Sequence, residues 1–283
     1  MNASRERIVI TGASSGIGKV TALKLASPTR EIVVAGRSAD RTRPIVEAIN
    51  AQHGPGSAQF LPLDLASFTS VRRATQTLRN QGVPITRLIN NAGVGGVKGV
   101  TEDGFEEALG TNHLGHFLFT LPLMPLIAQA DSARVINVAS EAHYFARGLH
   151  LDRARQPARM PTAFPEYAAS KLANVLFSAE LAERTKHLGV DVFAVHPGTV
   201  ATNVWREYPI LRFIKWVMLT EEQGAQNTLF CASDAGVQGR SGLYWEKQKA
   251  TRPSRLARDP ELRKDLWERS EIWTDCRWSD LGL

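Results

Sequence analysis

Short β-branched and apolar runs alternate along the chain with longer stretches in which Ala and Leu return at helical spacing. The runs at residues 7–11, 31–35, 58–63, 87–90, 134–139, 190–196 and 241–245 predict strands. Their apolar positions are near-continuous, as expected of strands covered on both faces of a parallel sheet. The stretches 19–26, 67–80, 104–129 and 168–187 predict helices. Such alternation predicts an α/β fold: a doubly wound parallel sheet with helices on both sides, in three layers. No repeat, low-complexity tract or Ser/Gly linker interrupts it, so residues 1–283 read as a single domain. In such sheets ligands bind beyond the carboxyl ends of the strands. The positions after Thr11, Ala35, Asn90, Ala139 and His196 are therefore the places to search.

Composition removes several classes. The 283 residues are 43% hydrophobic and 22% charged, which excludes a disordered or collagen-like chain. Two cysteines, Cys231 and Cys276, exclude a disulfide framework and a four-cysteine zinc site, and favour a reducing, cytoplasmic location. The longest apolar stretch, 117–128, has 12 residues and contains Pro122 and Pro125. A membrane-spanning helix needs ~20, so no integral membrane segment is expected. The first predicted strand begins too close to Met1 to leave room for a secretion signal. A net charge of +6 is spread along the chain, which argues against nucleic acid as a partner and suits anionic small molecules. His116, His143 and His196 lack carboxylates or cysteines at ligand spacing. No metal is expected, and these rings read as packing or turn residues.

The segment TGASSGIG, residues 11–18, joins the first strand to the first helix. Glycine permits a sharp turn and close approach of a ligand to the backbone. The free N–H groups and positive end of the following helix favour a pyrophosphate. Gly12, Ser14, Ser15, Gly16, Ile17 and Gly18 are therefore candidate cofactor contacts. After the second strand the chain reads Gly36-Arg37-Ser38, with no acid to bind a ribose 2′-hydroxyl. Arg37 suits a 2′-phosphate instead, so NADP(H) is favoured over NAD, with the nearby Asp40 acting against it.

Tyr167 and Lys171 stand four residues apart at the start of a predicted helix, hence on one face. Moving a phenol from pKa ~10 to ~7 requires roughly 4 kcal/mol of preferential stabilisation of phenolate. One positive charge ~4 Å away, at an effective dielectric near 20, supplies about that much. Ser140 ends the fifth strand, where its hydroxyl can bond a substrate oxygen or cap a turn. Asn112 lies within a long helical stretch, where its amide can hold a water or bend the helix.

TGASSGIG, Asn90-Asn91-Ala92-Gly93, Asn112, Ser140, Tyr-x-x-x-Lys and Pro197-Gly198 occur in this order, and together they resemble the short-chain dehydrogenase/reductase family over nearly the whole chain. GFEEALGTNHLGHFLFT, SKLANVLFSAELAER and AVHPGTV are similar to its retinol dehydrogenase-like branch, whose relatives include protochlorophyllide reductases. The resemblance implies a Rossmann fold and a catalytic tetrad of Asn112, Ser140, Tyr167 and Lys171. Tyr167 then exchanges the proton, Ser140 orients the substrate oxygen, Lys171 lowers the tyrosine pKa and holds the nicotinamide ribose, and Asn112 positions a water. It also implies cofactor contacts from Asp64, Leu65, Asn91, Ala92 and Gly93 around the adenine, and from Pro197, Gly198, Val200 and Thr202 at the nicotinamide end.

The expected activity is interconversion of a hydrophobic ketone or aldehyde with its alcohol. A non-catalytic NADP-binding regulator and a C=C reductase of the protochlorophyllide type are the alternatives. Ser140 and Tyr167 are 27 positions apart, more than in many members, so residues 141–166 read as an Arg- and Pro-rich surface insertion near the pocket mouth. All six Trp lie in the last 80 residues. Residues of about 199–222 correspond to a substrate lid; within them, 205–219 also suits a core-packed amphipathic helix or a basic-aromatic face resting peripherally on a membrane. Relatives often pair through the helices containing Asn112 and Tyr167, so a homodimer is a further expectation.

Overall fold

Alternation of side chains along the first strand divides the interior in two. In β1 (Glu6–Thr11), Ile8 and Ile10 join one buried cluster and Val9 the other, because successive side chains of a strand point to opposite faces. β2 (Arg30–Gly36) does the same with Ile32 and Val34 against Val33. Strands apolar on both faces need cover on both, and helices supply it. The computed structural model describes residues 5–160, 162–198 and 219–283.

The remaining strands are β3 (Ala58–Pro62), β4 (Ile85–Asn90), β5 (Arg134–Val138), β6 (Asp191–His196), β7 (Tyr244–Glu246) and β8 (Lys249–Thr251). Among the described residues they form one sheet in the order β3-β2-β1-β4-β5-β6-β7-β8, parallel except for the β7–β8 pair. The order reverses at β1, which pairs with both β2 and β4; a reversal of this kind opens a crevice at the strands' carboxyl ends. α1 (Gly16–Leu25), α2 (Ala39–His53) and α8 (Glu221–Ser233) cover the Ile8 face through Ala22, Ile45, Ile49 and Cys231. α3 (Phe68–Gln81) and α7 (Phe164–Thr185) cover the Val9 face, with α9 (Pro260–Thr274) packed on α7. This is the three-layer Rossmann-type arrangement that the alternation predicts.

Differences from the predicted elements have local causes. The predicted helix 104–129 begins later and is broken into α4 (Glu107–Leu109), a π-helical turn (Gly110–Leu114), α5 (Gly115–Thr120), a 3-10 turn (Leu121–Leu123) and α6 (Met124–Ala128). Pro122 and Pro125 lack the N–H that a continuous helix requires, and the N–H of Gly115 reaches back to the carbonyl of Gly110. The β7–β8 hairpin turns on Lys247 and Gln248, both at positive φ (51° and 60°), a conformation that Asn-Gly usually provides. Asn227 compensates: its Oδ1 accepts from the N–H of Gln248 at 2.9 Å, and its Nδ2 donates to the carbonyl of Trp245.

Two tryptophans of the C-terminal region serve the core. Trp245 and Trp267 are buried, and Trp267 stacks on Phe177 of α7 at 6.0 Å. Trp205 and Trp216, with the rest of the lid segment 199–218, lie outside the described residues. Apolar residues of α7, the Tyr167 helix through which a homodimer is expected, among them Leu172, Leu176 and Leu181, are buried by the chain itself. Among the described residues no helix is long and apolar enough to cross a membrane.

Candidate active site

Thr11, Gly36, Asn90, Val138 and His196 end five neighbouring strands at one edge of the sheet, and a cavity of about 840 Å³ opens beyond them. Every described cofactor candidate lines it: Gly12, Ser14, Ser15, Gly16, Ile17, Gly18, Arg37, Asp64, Leu65, Asn91, Ala92, Gly93, Pro197 and Gly198, with Tyr167 and Lys171. Val200 and Thr202 lie outside the described residues.

One end of the cavity is built from backbone. Gly12 sits at φ +69°, and a Cβ there would stand 2.8 Å from the Cα of Ala92. A Cβ on Gly18 would collide with Nδ2 of Asn91 and the carbonyl oxygen of Gly12. That Nδ2 donates to the carbonyl of Thr11 at 2.9 Å, so the two glycines let the first turn and the Asn91 strand end close on each other. Ser15, at the start of α1, places no side chain on the helix N–H groups, and the first turn carries no acid. The cradle therefore fits a dinucleotide phosphate in both shape and sign. Arg37 lines the cavity just before Ser38, which caps α2 by accepting from the N–H of Arg41. Arg41 lines it as well, a second cation that the sequence reading missed. Asp40 turns away, its side chain 90% exposed and 3.5 Å from Arg43. Glu107, also missed, lines the same end; burial raises its carboxyl pKa, nearby Asp64 raises it further, and Arg37 pulls it down.

At the other end, buried side chains converge. Ser140 follows β5, and its hydroxyl accepts from the N–H of Ala142 at 3.1 Å and hydrogen-bonds the Tyr167 phenol. Lys171 is buried; its ammonium donates to the carbonyl of Val138 at 3.0 Å and lies 5.7 Å from the centre of the Tyr167 ring. The simple charge argument for the phenol does not hold here. Burial pushes Tyr167 up to about 12, against a downward pull from the Ser140 hydroxyl, with Glu141 adding to the rise. Burial also brings Lys171 down to about 8, because the low-dielectric interior disfavours whichever form is charged.

Asn112 does not line the cavity. Its Nδ2 donates to the carbonyl of Val94 and to Oγ of Ser170, both at 2.9 Å, while its Oδ1 accepts from the N–H of Val94. Both N–H groups of the Asn112 amide are thus engaged by protein, and Asn112 ties the Asn91–Val94 loop to α7. His116, expected to be a packing residue, links the two ends. Its Nδ1 reaches the carbonyl of Asn112 at 3.0 Å and its Nε2 the hydroxyl of Thr11 at 2.9 Å. A carbonyl only accepts, so Nδ1 carries the proton and the Thr11 hydroxyl donates to Nε2. The Thr11 oxygen in turn accepts the N–H groups of Asn91 and Ala92. The ring is neutral, held down to about 4 chiefly by burial.

The insertion 141–166 borders the mouth, where Ala142, Phe145, Thr162 and Phe164 line the cavity. It is not purely a surface loop: Leu149 and Leu151 are buried against Leu172 and Leu176 of α7, and Ala154 joins Phe105. Among the described residues no cluster of His, Cys, Asp or Glu is arranged to hold a metal.

The family model for short chain dehydrogenases matches residues 6–150. Polyprenol dehydrogenase of Mus musculus is 38% identical over 92% of this chain and 81% of its own. The chain belongs to the short-chain dehydrogenase/reductase family. It falls in the retinol dehydrogenase-like branch: human retinol dehydrogenase 12 is 36% identical over 96% of this chain and 87% of its own. A crystal structure of an uncharacterized protein from Mycobacterium Paratuberculosis superposes with a TM-score of 0.78 at 31% identity, over 97% of this chain and 95% of that one. Members of this family are oxidoreductases that bind a nicotinamide cofactor, and the glycine cradle of this short-chain dehydrogenase fits one.

Proposed function

We propose that the protein is an NADP(H)-dependent oxidoreductase that interconverts a hydrophobic ketone or aldehyde with its alcohol. The observation that carries this reading is convergence: Ser140, Tyr167 and Lys171 meet at one end of the cavity whose other end holds the glycine cradle, Arg37 and Arg41. When bound, the nicotinamide dinucleotide supplies or accepts the hydride. The cradle N–H groups would hold its pyrophosphate, and Arg37 with Arg41 its 2′-phosphate. In reduction Tyr167 gives its proton to the former carbonyl oxygen. An alkoxide is a far stronger base than phenolate, so a phenol kept protonated by burial is a competent donor. Ser140 holds the same oxygen and aligns it with the phenol. In oxidation the phenol, held protonated by burial, must first give up its own proton before it can take that of the alcohol, and a charged Lys171 beside it favours that phenolate. At about 8, that ammonium persists at neutral pH.

An apolar substrate is supported by the mouth, where Phe145 and Phe164 approach to 6.1 Å and Phe145 is 66% exposed. The names of the two relatives, polyprenol dehydrogenase and retinol dehydrogenase 12, are consistent with it. The test is Tyr167→Phe, followed by NADPH oxidation across aliphatic, aromatic, steroid and retinoid carbonyls. Turnover should fall by about 10²–10⁴-fold, with NADPH affinity retained. Equal turnover in the variant would remove Tyr167 from the mechanism.

A further inference from the structure

The carbonyl of Ser140 and the N–H of Glu141 belong to one peptide unit, and an imidazole holds each. The carbonyl accepts from Nδ1 of His143 at 2.7 Å, and the N–H donates to Nδ1 of His196 at 3.2 Å. These contacts fix both tautomers. Nδ1 of His143 must carry its proton, because a carbonyl cannot donate, and its Nε2 accepts the N–H of Ser254 at 3.2 Å. His196 is the reverse: Nδ1 accepts, so Nε2 carries the proton and faces Oε2 of Glu141 at 3.8 Å. His143 is fully buried, its ring 4.0 Å from that of Tyr144 and 4.8 Å from that of Tyr244. His196 lines the cavity but is only 4% exposed.

We propose that His143 and His196 are positioning residues for Ser140. Two neutral imidazoles of opposite tautomer clamp the Ser140–Glu141 peptide and thereby set the serine hydroxyl against Tyr167. The inference deepens the oxidoreductase reading and rests on it for the role of Ser140. Burial favours the neutral form of both rings. Around His196, Glu141 and Glu246 pull its pKa up while Lys247 and Lys171 push it down. Around His143, the Ser140 carbonyl pulls up and His196 pushes down. Protonating Nδ1 of His196 turns the acceptor into a donor facing the Glu141 N–H, so acid should open the clamp.

The decisive variants are His196→Leu, which removes the acceptor, and His196→Asn, whose Oδ1 can stand where Nδ1 does and cannot titrate. His196→Leu should lower kcat at least about tenfold with little change in KM or NADPH affinity. His196→Asn should keep kcat within about threefold and hold it level to lower pH than the parent does. Parental kcat in the leucine variant, equal damage in both, or a parental acid limb in the asparagine variant would each overturn the proposal. Should His196→Leu fail to give a cooperative melt, the asparagine pH profile decides. A readout independent of turnover is ¹⁵N NMR of the imidazoles, with resonances assigned from the variants. The Nδ1–H form at His143 and the Nε2–H form at His196 are expected, and Nε2–H at His143 refutes the clamp. Expected tautomers in a parent inactive on every carbonyl would support the clamp's geometry and count against the oxidoreductase reading alone.

Discussion

The two ends of the cavity are made by different means. At the cradle end, tight backbone approach between Gly12, Gly18 and the Asn91–Ala92 turn shapes a surface of N–H groups, and the charged side chains there, Arg37 and Arg41, sit on a rim. At the other end stand buried ionisable side chains, Tyr167 and Lys171, the proposed proton-transfer groups, each pushed by desolvation toward its neutral form. A phosphate brings its own charge to be matched, so donors at a helix start suffice. A proton donor must be tuned, and tuning requires removing the group from water. The cradle should therefore be nearly free of stability cost, while the Tyr167–Lys171 end carries one.

Lys171→Met probes that contrast most strongly. An ammonium at about 8, against its ordinary 10.5, binds fewer protons folded than unfolded between those values. Its destabilisation is fully present below about pH 8 and is relieved as pH rises toward 10.5. At 1.36 kcal/mol per unit this is on the order of 3 kcal/mol. Methionine fills similar volume, and the Val138 carbonyl keeps its bond from Nδ2 of Asn174. The variant should lose at least about 10²-fold in kcat/KM and melt several degrees higher at pH 7. The melting gain should shrink above pH 9. A variant both inactive and less stable would show that Lys171 supports the fold.

The corresponding change at the cradle end is Arg37→Ala. A charge-assisted bond is worth roughly 1.5–3 kcal/mol, so kcat/KM with NADPH should fall about 10–100-fold while the value with NADH changes little. Melting of the free protein should not move, because Arg37 lines the cavity rim. An NADH preference in the parent would overturn the assignment of the 2′-phosphate to Arg37.

Legibility in the sequence follows the range of the contacts. The cradle can be read because its residues are consecutive, at 11–18, and the Tyr167–Lys171 pair because one helical turn sets its geometry. The sheet can be read because strands apolar on both faces carry a simple signal. What stays hidden depends on distant partners: His143 meets Ser254 across 111 positions, and His116 meets Thr11 across 105. A histidine among apolar residues looks the same whether it fills space or holds a catalytic loop. The β7–β8 hairpin is hidden because Lys247 and Gln248 replace the usual turn residues, with Asn227 on α8 supplying the missing support. The partly buried insertion is hidden because its prolines and arginines outnumber Leu149 and Leu151, which anchor it.

Glu106 extends the comparison to a buried carboxyl outside the cavity lining. It precedes α4, is only 4% exposed, and its carboxylate accepts the N–H groups of Ala108 and Leu109 at 3.1 and 2.8 Å. Burial lifts its pKa to about 7 from the usual carboxylate value of 4.5; the two N–H groups oppose the rise, and Glu166 and Glu107 add to it. A folded pKa above the unfolded one means that the stabilisation is fully present below about pH 4.5 and is lost as pH rises through about 7. The span is on the order of 3 kcal/mol. Glu106→Gln replaces one acceptor by a donor, so its absolute melting point can shift either way, but it cannot titrate. The informative quantity is the difference in melting temperature between variant and parent, which should move in the variant's favour as pH rises from 4.5 to 8. A difference that stays flat across that range would mean that the carboxyl titrates near its ordinary value, and that the helix start leading to Asn112 is well solvated.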